Sequence, residues 1–203
     1  MELNNKYFLL RHGQTIYQKE GREMNYPADS GPFLSLTEEG KEMVKQSAQK
    51  IKNICDECSQ NIDFVFVSPF LRTKQSAEIV ANVFGFDSKK INYDERLVDI
   101  DLGEFMGKSM QESWNFYLGD KITFDNRPKD GESWDDILKR VKSFLDEVEQ
   151  KYSGKNILII SHADPIWLMA GYLREFKNEN QYLEARNDRQ NSYPTVGQLI
   201  EIK

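Results

Sequence analysis

Histidine is scarce in this chain: His12 and His162 are the two found among 203 residues. Cysteine is equally scarce. Cys55 and Cys58 form a lone CxxC, and a zinc centre would need about two further ligands. With both histidines assigned to other work below, the pair reads as two ordinary thiols on a helix, and no metal or redox centre is expected. No apolar run approaches the roughly 20 residues of a membrane helix. The opening stretch MELNNKYFLL lacks a basic head followed by a signal-like apolar segment, so the cytoplasm is the expected location. An excess of positive charge is missing too. Lysine and arginine total 27 against 33 acids, a net charge of −6, which argues against a nucleic-acid or anionic-membrane partner. It leaves room for a small positive pocket. Repeats, low-complexity tracts and linkers are absent, so residues 1–203 are expected to form a single domain. No GxGxxG follows the first strand, against a dinucleotide fold. Oligomeric state has no signature here.

What is present is an alternation of strands and helices. Lys6–Leu10, Ile62–Val67, Asn156–Ser161 and Gly197–Ile202 read as strands, with a shorter one within Ile91–Leu97. Thr37 precedes Glu38 and Glu39 as the N-cap of a helix carrying Met43, Val44, Ala48, Ile51 and Ile54 at helical spacing. Ser68-Pro69 reads as an N-cap with proline at N1, opening a helix that runs to about Phe84. Ser109–Leu118 is expected as a short helix, and Ser133 as the cap of a long one through Val141, Phe144, Leu145 and Val148. Pro165–Leu173 is the last expected helix. This order predicts an α/β protein: a three-layer α/β/α sandwich around a mostly parallel sheet.

In such sheets ligands gather beyond the carboxyl ends of the strands. Three chemistry-bearing stretches fall there: Arg11-His12-Gly13, Ser68-Pro69-Phe70-Leu71-Arg72 and Ser161-His162-Ala163-Asp164. Guanidinium groups bind phosphate oxygens in a bidentate fashion. A neutral imidazole is a competent nucleophile, and a second one can donate a hydrogen bond. Gly13 would let the backbone approach a bound phosphate closely, and a helix starting after His162 would add amide donors. Together these suit phosphoryl transfer without a metal.

These stretches, with LSLTEEG (Leu34–Gly40), DERLVDIDLGEFMG (Asp94–Gly107) and DGESWDD (Asp130–Asp136), resemble the histidine phosphatase superfamily, also called phosphoglycerate mutase-like, in motif order. The resemblance implies that fold and a role for each matching position. His12 would become transiently phosphorylated, while Arg11, Arg72, His162 and the Ala163 amide bind the phosphoryl oxygens. Thr15 and Gln18 fall where relatives place a hydroxyl and an asparagine near the phosphate, Gln18 being one methylene longer. The proton donor would be Asp99, where relatives carry glutamate, with Asp101 or Glu104 as neighbouring substitutes. No cofactor is implied, and the partner would be a small phosphorylated substrate. Asp164-Pro165 stands where relatives often have small residues; Asp164 reads as an N-cap before Pro165, with pairing to a pocket cation or contact with substrate as the alternative. Glu132-Ser133 reads as a helix start near the pocket. The loops Lys19–Pro32 and Phe105–Pro128 are expected to form the outer wall, their aromatics Tyr26, Phe33, Trp114, Phe116 and Tyr117 reading as lid core with packing on a substrate as the alternative. Arg22 and Arg127 are expected on the surface, with contact to a second anionic group as the alternative. The resemblance favours a phosphatase, with a cofactor-dependent mutase or a catalytically weak phospho-ligand module as alternatives.

Overall fold

The computed structural model describes residues 3–25, 31–57, 61–87, 89, 91–119 and 122–202. Cys58 and Tyr26 lie outside the described residues. Five strands, β1 (Lys6–Arg11), β2 (Phe64–Val67), β3 (Ile91–Tyr93), β4 (Asn156–Ser161) and β5 (Leu199–Ile202), form one sheet of order β3-β2-β4-β1-β5. All neighbours are parallel except β5, which runs antiparallel to β1. Parallel strands covered on both faces are apolar at every position. The runs YFLL in β1 and ILII in β4 obey this, with alternate side chains entering two cores. Tyr7, Leu9, Ile157 and Ile159 join one core, and Phe8, Leu10, Leu158 and Ile160 the other.

The helices are α1 (Ile16–Lys19), α2 (Glu38–Glu57), α3 (Leu71–Phe84), α4 (Met110–Leu118), α5 (Trp134–Lys151), α6 (Ala163–Leu173) and α7 (Glu179–Arg186). Helices α2 and α3 cover the face of Phe8 and Leu10 through Val44, Ala48, Ile51, Ala77 and Val80. Helices α5 and α6 cover the other through Ile137, Val141, Phe144, Leu145 and Ile166. The three-layer arrangement expected from the sequence is therefore present. Among the described residues no helix is long and apolar enough to cross a membrane.

Several boundaries differ from expectation for local reasons. Helix α3 begins at Leu71, with Phe70 rather than Ser68 in the N-cap position, because the Ser68 hydroxyl is engaged by His162. Helix α6 begins at Ala163, so Asp164 is inside the first turn and is not its N-cap; His162 holds that position. The Ile166 amide bonds the His162 carbonyl at 3.1 Å, and Pro165 is tolerated because first-turn amides have no intrahelical partner. Strand β3 stops at Tyr93 because Asp94 caps a 3₁₀ turn, accepting from the Arg96 amide at 2.8 Å. The Thr37 cap is present, its hydroxyl accepting from the Gly40 amide at 2.9 Å.

The loop after β1 lies in backbone contact with the start of α2. A Cβ on Gly13 would stand 2.2 Å from the Gly40 carbonyl oxygen and 2.7 Å from its carbon. Backbone cannot give way as a side-chain tip does. Gly13→Ala is therefore expected to cost at least about 2 kcal/mol, read in thermal denaturation as a Tm lower by roughly 4–8 °C.

Candidate active site

Register brings the three stretches together. Arg11 pairs with Ser161 across β1 and β4, and Val67 pairs with Ile160 across β2 and β4. The chain leaving each strand thus enters one rim at the carboxyl ends. The His12 amide bonds the Ser161 carbonyl at 3.1 Å and the Ser68 amide the Ile160 carbonyl at 3.0 Å, extending the sheet by one residue on both strands. Ser76, one turn after Arg72 on α3, accepts from the Gly13 amide at 3.3 Å and donates to the Arg72 carbonyl at 2.7 Å. That link ties the first loop to α3.

His12 and His162 are both buried, with ring centroids 5.3 Å apart. The His12 Nδ1 lies 2.8 Å from the Gly13 carbonyl oxygen. A carbonyl can only accept, so Nδ1 carries the proton and Nε2 keeps its lone pair. Burial, then Arg72, His162 and Arg11, hold the His12 pKa well below 6.5. His162 is lowered likewise, by burial and then by Arg72, Arg11 and Arg140. Both rings are therefore neutral near pH 7. Below about 6.5 the unfolded chain binds protons that the folded histidines refuse, so stability declines as pH falls through that value. Urea denaturation at stepwise lower pH should show that decline, and His162→Gln should flatten it.

His162 is oriented from both sides. Its Nε2 lies 2.9 Å from the Ser68 hydroxyl, and its Nδ1 is 3.5 Å from an Asp99 carboxylate oxygen. An N–H facing a carboxylate is favoured over a lone pair there, so Ser68 donates to Nε2 and Nδ1 is the donor into the site. Arg72, 1% exposed, donates from Nη2 to the same Asp99 oxygen at 3.0 Å. Arg11 donates from Nη1 to the Pro194 carbonyl at 2.9 Å, and its Nε is buried with no hydrogen-bond partner. Two guanidinium groups and an imidazole N–H thus converge beside His12, and Asp99 occupies the anion position among them.

Arg11, Arg72, Asp99 and Ala163 line a cavity of about 210 Å³, with Gln18, Asn25, Trp114, Tyr117 and Asp164 among its walls. Of the expected residues, Arg11, Gln18, Arg72, Asp99 and Ala163 line this cavity, whereas His12, Gly13 and His162 are not in its lining. The two histidine rings are buried beside it, 5.3 Å apart, with the His162 Nδ1 3.5 Å from Asp99. Thr15 is not part of that lining. It is fully buried and caps α1, its amide donating to the Gln18 Oε1 at 3.0 Å and its hydroxyl accepting from the Gln18 amide at 3.3 Å. Gln18 reaches the cavity, with Oε1 committed to that cap. Asp101 and Glu104 are turned to local amides, accepting from Gly103 and Lys129, which leaves Asp99 as the acid of that loop at the site. Arg22 pairs with Glu20 and Arg127 with Asp136, as surface residues do. Trp114 and Tyr117 belong to the wall, whereas Phe116 packs on Phe105 and Phe33 beneath Arg22.

Three positioning residues had no local signal. Ser68 orients His162, as above. Arg140, one face of α5, donates to the Asp99 carbonyl at 3.2 Å and the Arg96 carbonyl at 2.7 Å. Glu132 holds Arg140 through two oxygens at 2.8 and 3.1 Å and accepts from the Asp101 amide. The pair braces the loop that carries Asp99.

Comparison with known proteins agrees with this geometry. The sequence pattern of the histidine phosphatase superfamily (branch 1) matches residues 7–188. The chain belongs to this superfamily. Among similar proteins, phosphoserine phosphatase 1 of Hydrogenobacter thermophilus is 28% identical over 169 residues, covering 81% of this chain and 74% of that one. The 2,3-bisphosphoglycerate-dependent phosphoglycerate mutase of Thermoplasma acidophilum is 29% identical over 175 residues, covering 86% and 78%. In fold, the mycobacterial glucosyl-3-phosphoglycerate phosphatase superposes with a TM-score of 0.73 at 16% identity, covering 98% of this chain and 92% of its own. Superfamily membership thus spans both phosphatases and mutases.

Proposed function

We propose that this protein is a metal-independent phosphatase, with no cofactor, that hydrolyses a small phosphate monoester through a phosphohistidine on His12. The carrying observation is the neutral His12 with its free Nε2, set beside Arg11, Arg72 and the His162 Nδ1 donor. An arriving ester monoanion takes over Arg72 and His162 from Asp99 and passes its remaining proton to the released carboxylate. The His12 Nε2 attacks phosphorus in line, the ester P–O bond breaks, and Asp99 protonates the departing alkoxide. Arg11, Arg72 and the Ala163 amide stabilise the charge on the equatorial oxygens. Water then attacks the phosphohistidine, Asp99 accepts its proton, and phosphate leaves with His12 neutral again.

Asp99→Asn is expected to lower kcat by about 10²–10³-fold on alkyl phosphates. The loss should be much smaller on an aryl phosphate, whose leaving group needs little protonation. Parallel assays of phosphate release from both ester types check this difference.

The mutase relatives raise the second reading, transfer back to a bound intermediate rather than to water. The deciding experiment supplies a phosphoglycerate with and without 2,3-bisphosphoglycerate, alongside a panel of other monoesters. Free phosphate released without the bisphosphate supports the phosphatase. Bisphosphate-dependent interconversion of phosphoglycerates would replace it with the mutase, and phosphate binding without turnover with a binding module.

A further inference from the structure

The mechanism above leaves a second pair of charges in the cavity unused. Asp164 lines it from the first turn of α6, and Arg186 from the last turn of α7. Asp164 Oδ1 and Arg186 Nε are both buried with no hydrogen-bond partner, while the Tyr193 hydroxyl supports the Asp164 carboxylate from one side. The two groups feel each other's field, yet no ion pair joins them among the described residues. Arg186 is fixed in place by stacking, its guanidinium 4.8 Å from the Tyr193 ring centroid and 5.3 Å from that of Trp134. Buried polar atoms without partners are few in folded proteins. Asp164 and Arg186 carry opposite charges and both line one cavity, which a ligand bearing both charges would complement.

The two demands differ. A carboxylate accepts from an ammonium or hydroxyl, and a guanidinium donates to a carboxylate. An α-amino acid presents an ammonium and a carboxylate on one carbon. The inner cavity holds about 210 Å³, which suits a short alcohol, and it opens past Tyr17, Gln18, Met110 and Trp114 to an outer pocket of about 500 Å³. Arg11 and Arg72 are taken by the phosphoryl oxygens. A second phosphoryl group on the alcohol would meet Asp164 as a like charge. Burial raises the Asp164 carboxyl above its ordinary 3.8, and an ammonium is the partner that restores its ionised form.

We propose that Asp164 and Arg186 form a leaving-group subsite for the phosphate ester of a β-hydroxy-α-amino acid, Asp164 taking the ammonium and Arg186 the α-carboxylate. This assignment rests on the phosphatase reading above. O-phosphoserine and 3-phosphoglycerate are the matched probes, since they differ in an ammonium against a hydroxyl on the middle carbon. Ethanolamine phosphate keeps the ammonium and lacks the carboxylate.

The unaltered enzyme is expected to favour O-phosphoserine over each of the other two by about tenfold or more in kcat/KM. Asp164→Asn should bring the serine-to-glycerate ratio towards one, mainly through KM. Arg186→Gln should erase the preference over ethanolamine phosphate and leave the serine-to-glycerate ratio in place. An unaltered enzyme with equal or inverted preference overturns the proposal, and so does a preference that survives Asp164→Asn. If no ester releases phosphate, the fault lies with the phosphatase reading. Calorimetric binding of the same three probes to the unaltered protein then decides the subsite: tighter O-phosphoserine binding upholds it, and equal affinities overturn it.

Discussion

Phosphate release by His12→Ala is expected to fall by about 10⁴-fold or more, because removing a nucleophile leaves only binding and charge stabilisation to act. The fold should survive the change. Among the described residues the ring makes a single hydrogen bond, to the Gly13 carbonyl, and the strand amides around it pair through backbone. Circular dichroism and thermal denaturation of the variant would verify this while phosphate release is measured. The variant should still bind inorganic phosphate, since Arg11, Arg72 and His162 remain. A variant that keeps a tenth of the activity would remove His12 from the chemistry.

Arg72→Ala is expected to lower kcat by about 10³-fold, the scale of removing a buried charge that stabilises a transferring phosphoryl group. Arg72→Lys should recover little of it. A lysine supplies one compact charge, whereas the guanidinium meets two oxygens in a planar fork. The site is also closed around the larger group: Arg72 is 1% exposed, packs 5.1 Å from the Phe70 ring centroid and holds Asp99. Truncation therefore strands Asp99 beside His162 as well, and urea denaturation should report a stability loss in the alanine variant. Steady-state rates of both variants against the parent, on one ester, make the test. Near-parental kcat in the lysine variant would mean that charge alone is needed and the bidentate reading is mistaken.

The strand ends were legible because each is an apolar run broken by a charged or small residue. YFLL before Arg11 and NILII before Ser161 are short apolar runs that pack on both faces, as a buried parallel strand requires. Once those strands are neighbours, Arg11 and His162 must share a rim. Asp99 was reached through resemblance, since its loop has neither period nor cap to place it. Its support comes from Arg140 and Glu132, which are 41 and 33 residues away in sequence and meet it only through packing of α5. Ser68 was read as a helix cap, the commonest use of a serine before proline. Tertiary contact with His162 outweighed that local preference. Helix α7 went unread because ENQYLEAR buries Tyr182 alone and shows no apolar stripe. Arg186 acquires its place from Trp134, Trp167 and Tyr193, contacts that a linear reading cannot supply.

The most direct test is capture of the covalent intermediate. The enzyme would be mixed with a radiolabelled phosphate monoester, quenched in alkali within one turnover, and digested for mass spectrometry. Label on the peptide carrying position 12, stable to alkali, lost in acid and chased to free phosphate on dilution, is the predicted result. Full turnover with no labelled protein, or label on any other residue, would contradict attack by His12.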